Sequence, residues 1–172
     1  MPPTARRAVL TLHVAASVGW AGAVAAFLVL ALAGLASDDA TARGVYASME
    51  LLGWWLIVPL SLVTLVSGHV QALGTHWRLL HHYWVVIKLV ITVVASILLV
   101  VHMGAATSVA DAARDGVSAR DDVGDLRVQL AVDAAAALLV LLVATALSVV
   151  KPAGLTRRGR RAVARRRGAP AT

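Results

Sequence analysis

Four apolar stretches, each long enough to cross a bilayer and separated by short polar segments, set what this chain can become. A spanning helix needs roughly 20 apolar residues, because its backbone must satisfy its own hydrogen bonds across ~30 Å of hydrocarbon. The stretches fall at about residues 8–36, 48–73, 81–104 and 127–150. With 59% hydrophobic and 15% charged residues among 172, the chain is too apolar for an ordinary soluble domain. The expected fold is all-α, a four-transmembrane-helix bundle forming one domain over residues 1–153, with a basic disordered tail over 154–172. The first stretch follows Arg6 and Arg7 and ends in small residues, as a cleaved signal would. Its apolar run is much longer than the ~7–15-residue core of such signals, so it reads as a retained helix.

Charge gives an orientation. The amino terminus (Arg6, Arg7), the turn holding Arg78, and the tail (Lys151 and seven arginines) contain no acids, whereas residues 37–47 and 104–127 hold most of them. Basic connections stay inside, so the N-terminus and C-terminus are both expected in the cytoplasm, with the chain in a bacterial inner (plasma) membrane. The net charge of +7 comes from arginines beside a span, where anionic lipid at the cytoplasmic face is the expected partner rather than nucleic acid. The absence of cysteine excludes disulfides, thiolate-bound metals, iron–sulfur clusters and a cysteine nucleophile. No glycine-rich phosphate loop, nucleophile elbow or carboxylate dyad is present, and catalytic residues are unknown.

The third stretch, HHYWVVIKLVITVVASILLVVHM over His81–Met103, is organised differently from a lipid-facing helix. At roughly 100° per residue, His81, Trp84, Lys88, Thr92, Leu99 and His102 fall within about 80° of one another. An ionisable group inside a span is costly and faces protein or water. In the first stretch His13, Ser17, Trp20, Val24 and Phe27 form a comparable stripe, beside a small-residue row of Ala15, Gly19 and Ala23 that permits close helix approach. Trp20 lies too deep for an interfacial belt and is expected to pack in the bundle. Pro59 should bend the second helix, with Ser61 and Thr64 available to the freed carbonyls. In the fourth, the Ala134–Ala137 run is expected to allow close packing.

His13 and Lys88 come out at similar depth on the first and third helices. Imidazoles on facing helices can supply axial nitrogens to a b-type haem while a cation pairs with a propionate, which suits His13 and Lys88. His69 and His82 are further histidine candidates. The other reading of these residues is structural: Lys88 snorkels to the headgroups and His13 makes an interhelical hydrogen bond. Near the opposite face, His102 and Asp133 form a candidate metal or proton site, with the carboxylate accepting the imidazole Nδ1–H, or else a structural hydrogen bond.

LHVAASVGWAGA, with His13, Trp20 and Gly22 in an H-x6-W-x-G pattern, and YWVVIK, with Trp84 four residues before Lys88, resemble the first and third helices of two families. These are the copper-resistance D type membrane proteins and the haem-dependent protoporphyrinogen oxidases. Over Leu10–Met103 the chain resembles more closely a set of small integral membrane proteins of high-GC bacteria. The resemblance implies a haem ligand at His13, with Lys88 in the same functional region and Trp20 and Trp84 beside it, and oxidoreductase-like activity if haem is bound. His102 follows Lys88 by about four turns, where the oxidase pattern has about three. Methionine- and histidine-rich exterior segments, expected of the copper family, are missing, so copper or small-ligand transport is less favoured. A membrane accessory protein without cofactor is the competing class, and a homo-oligomer or a membrane redox partner fits either reading.

Overall fold

The computed structural model describes residues 2–74, 83–115 and 124–150. Five helices run in order: α1 (Pro3–Ala36), α2 (Asp39–Leu52), α3 (Val58–Gly74), α4 (Tyr83–Arg114) and α5 (Gly124–Val150). A π-helical turn, Gly53–Ile57, joins α2 to α3 so that the two form one span. α1 packs on α2, α3 and α5, and α4 packs on the same three, so α1 and α4 stand diagonally across a four-membered ring. The expected all-α bundle of four membrane-length helices is present. His76, His81, His82, Arg78 and the basic tail lie outside the described residues, and Trp84 falls in the first turn of α4.

The surface is what lipid requires. Val18, Val29, Val101, Leu139 and Val149 are all more than 60% exposed, arrayed around helices that each meet the length and hydropathy of a span. Water would penalise that much apolar surface, at about 25 cal/mol per Å². The chain is a multi-pass integral membrane protein.

The helices exceed the bilayer. A helix of 34 residues is ~51 Å long, against ~30 Å of hydrocarbon. The excess gathers at the end of the bundle holding Asp38, Asp39, Glu50, Asp111 and Asp125, here termed the acidic end. Residues 37–47 were expected to be a connection, yet only Ser37 and Asp38 separate α1 from α2. Asp38 caps α2 by accepting the Thr41 backbone N–H at 2.9 Å, and Ala42, Tyr46 and Met49 then bury one face of it. Likewise α4 runs on from residue 104 to Arg114, burying Ala106, Val109, Ala110 and Ala113 at helical spacing.

Two polar locks fasten this end. Arg114 pairs with Glu50 of α2 and with Asp111 of its own helix. Arg127 of α5 is buried: its Nε donates to Tyr46 Oη at 2.6 Å, its Nη2 donates to the Gly34 carbonyl, and its guanidinium lies 5.0 Å from the Tyr46 ring centre. A charged donor with aromatic and carbonyl partners is a form in which arginine tolerates burial.

Pro59 explains the π turn. Its missing N–H leaves the carbonyl four residues earlier without a partner, and its ring crowds that carbonyl. The helix responds by widening just upstream, where Val58 N–H bonds the Gly53 carbonyl five residues back. Ser61 donates to the Val58 carbonyl at 2.8 Å, not to the carbonyl four residues before Pro59 that the proline leaves free, and buried Thr64 Oγ1 finds no partner among the described residues.

Candidate functional site

His13 sits on α3. Gly68 leaves room for the ring, since a Cβ there would lie 3.1 Å from His13 Cε1. His13 Nδ1 is 3.1 Å from the Thr64 carbonyl and 3.0 Å from Ser67 Oγ. Because the carbonyl can only accept, Nδ1 carries the proton and Nε2 the lone pair. Ser67 is committed as a donor to the Val63 carbonyl at 2.5 Å, so it too accepts from His13. The interhelical bond expected of His13 is therefore present. Lys88 is half-buried on α4. The hydroxyls above it turn to their own helix, Thr92 donating to the Lys88 carbonyl and Ser96 to that of Thr92, both at 2.9 Å.

His69 Nδ1 is 2.8 Å from the Leu65 carbonyl one turn back, so it bonds within α3 rather than across the bundle. Among the described residues no three His, Asp or Glu side chains converge as a metal-holding group. In particular His13 belongs to the α3 contact, apart from His102 and Asp133.

His102 and Asp133 do meet, with Nε2 3.3 Å from Oδ2. The imidazole is turned opposite to expectation: Nδ1 faces the Leu98 carbonyl at 2.7 Å, and Nε2 faces the carboxylate. The carbonyl requires a proton on Nδ1. Nε2 and Oδ2 then repel as two lone pairs unless one proton lies between them, as imidazolium with carboxylate or imidazole with carboxylic acid. The contact is close without hydrogen-bond alignment, and Oδ2 is a buried atom with no hydrogen-bond partner among the described residues.

This pair lines a cavity of about 440 Å³ between α1, the π turn, α4 and α5. Its walls are otherwise apolar, with Phe27, Ile57, Met103 and Leu141 among them. Trp20, expected in the bundle, is 3% exposed and lines the same cavity, and its Nε1–H has no partner among the described residues. Val90, Val94 and Leu98 of α4 and Val140 of α5 line the cavity and are themselves exposed, so the opening lies between α4 and α5 on the lipid-facing side. His13 and Lys88 do not line it. The Ala134–Ala137 run, read in sequence as a close-packing face, buries Ala134 in the core with Ala137 packed against it, and Ala134, Ala136 and Ala137 also line the cavity. No protein-family model, curated protein or solved structure matches the chain.

Proposed function

We propose that the bundle binds a lipid-soluble ligand that enters from the bilayer between α4 and α5. The observation that carries this reading is the coincidence of two buried polar atoms without hydrogen-bond partners, Trp20 Nε1 and Asp133 Oδ2, in one apolar cavity. Each such atom costs roughly 1–3 kcal/mol, and a ligand that bonds both while filling apolar volume recovers much of that. The volume lies within the ~300–1,000 Å³ typical of small-molecule sites. We orient the bundle with Arg6 and Arg7 in the cytoplasm of a bacterial inner membrane and the arginine tail on anionic lipid, from the asymmetry of basic residues.

The test is mass spectrometry of lipids extracted from detergent-purified protein. Wild type should carry a stoichiometric lipophile that Ala137→Phe, which fills the cavity, loses. An identical lipid complement in both would overturn the assignment.

A second reading, b-type haem for electron transfer or redox sensing, is favoured by His13. A ligating imidazole fixes its free nitrogen by donating the other N–H to a carbonyl, and the Thr64 carbonyl receives that bond here. His13 Nε2 and Lys88 would then hold the group, which when bound supplies one-electron exchange. An absorbance spectrum decides: a Soret band lost in His13→Ala supports the ligand assignment, and one that survives unchanged refutes it.

A further inference from the structure

We propose that the ligand of the α4–α5 cavity is a lipid with an uncharged, hydroxylated aromatic head of the phenol or quinol class, the head lying between Asp133 and Trp20. This rests on the ligand-binding reading above and adds the chemical class.

The cavity is a slot along the helix axes. Its α4 wall runs from Val90 to Met103, about 20 Å of axial rise. A ligand that fills it is elongated, with its long axis along the helices.

Polarity is confined to one part of the slot. A Cβ on Gly53 would touch both Met103 and Phe27, so those residues share a level, and His102 and Asp133 lie beside it. Trp20 stands two turns before Phe27 on α1, about 10 Å further into the membrane. Beyond Trp20 the slot is apolar to Val90 and Leu141. A ligand that matches this pattern carries a donor at the Asp133 level, an acceptor deeper in, and an apolar remainder.

Charge narrows the head further. A fatty acid would bring its carboxylate against Asp133. A protonated amine would carry its charge between walls that are otherwise apolar, a desolvation cost that a neutral hydroxyl does not meet. A neutral hydroxyl can donate to Asp133 Oδ2, and a second oxygen across a ring can accept from Trp20 Nε1–H. Both partnerless atoms are then satisfied by one head.

The test uses full-length protein in lipid nanodiscs and three probes sharing a decyl chain: a decyl-substituted para-quinol, decanoic acid and decylamine. The quinol should bind most tightly. Trp20→Phe should weaken it roughly 2- to 12-fold, as for loss of one neutral hydrogen bond, and Asp133→Leu by roughly 10- to 100-fold. Ala137→Phe should abolish binding while leaving the thermal midpoint near that of wild type, which separates blocked access from misfolding. Decanoic acid or decylamine binding as tightly as the quinol would overturn the head-group class and leave the ligand-binding reading intact. Failure of all three probes, together with no lipophile lost from Ala137→Phe, would overturn both.

Discussion

Gly34→Ala separates two physical effects by sign. In an ordinary helix the change is stabilising by up to about 1 kcal/mol, because alanine loses less backbone freedom on folding. Here the added Cβ would stand 2.8 Å from both Cζ and Oη of Tyr46, a ring that is 1% exposed. The phenol cannot swing aside without breaking its 2.6 Å bond from Arg127 Nε and leaving the guanidinium stack. Overpacking costs about 1–3 kcal/mol and a hydrogen bond to a charged group about 1.5–3 kcal/mol. Less the propensity gain, the net is roughly 2–5 kcal/mol of destabilisation. Reversible denaturation of the protein in mixed micelles, followed by circular dichroism, reads this directly. Tyr46→Phe removes only the hydroxyl and should cost about 1–3 kcal/mol with no clash. A Gly34→Ala protein as stable as wild type, or more so, would refute the claim that Tyr46 and Arg127 pin α1 to α2 and α5.

Two further outcomes are expected. Asp38 accepts the Thr41 backbone N–H, and secondarily its hydroxyl, which holds its carboxyl below the ordinary value of about 3.8. The folded pKa is the lower one, so this stabilising contribution is full above the unfolded value and is lost as pH falls through the folded one. Stability should decline below pH ~4, and Asp38→Asn, which keeps a capping oxygen, should flatten that part of the profile. Reporter fusions after Val150 should be cytoplasmic and fusions at Ser37 or at residue 115 exterior; a cytoplasmic signal at residue 115 would reverse the proposed orientation.

The spans were legible because hydropathy over some 20 residues is a strong signal, and the polar stripe of α4 was legible because its period is helical. The extent of the helices was not. Ala42, Tyr46 and Met49, and Ala106, Val109, Ala110 and Ala113, keep helical spacing through segments whose charge suggested loops. Amphipathic helix outside the bilayer looks like a connection to any reading based on hydropathy. The Asp38 cap and these small buried residues were the available signals. The meeting of His102 and Asp133 followed from depth alone, whereas the rotation of the imidazole depends on the Leu98 carbonyl and has no trace in sequence. The cavity could not be read either, because alanines pack closely or leave a void according to what faces them. Arg127 was taken as the edge of a helix, and only the folded chain brings it to Tyr46 and Gly34.

The π turn bears on how the second span tolerates change. Its buried positions Met49, Gly53, Ile57 and Ser61 recur every four residues, a rhythm that in a plain α-helix would drift by about 120° over three steps. The wider turn absorbs about one residue of that drift, so α2 and α3 present their inner faces in phase despite one residue of slack between them. Descent can therefore treat the two halves as separate modules. Substitutions that retune α2 beneath Tyr46 need not be matched by changes in α3 beneath His13, because a rotation introduced on one side ends at Gly53 instead of propagating along the helix.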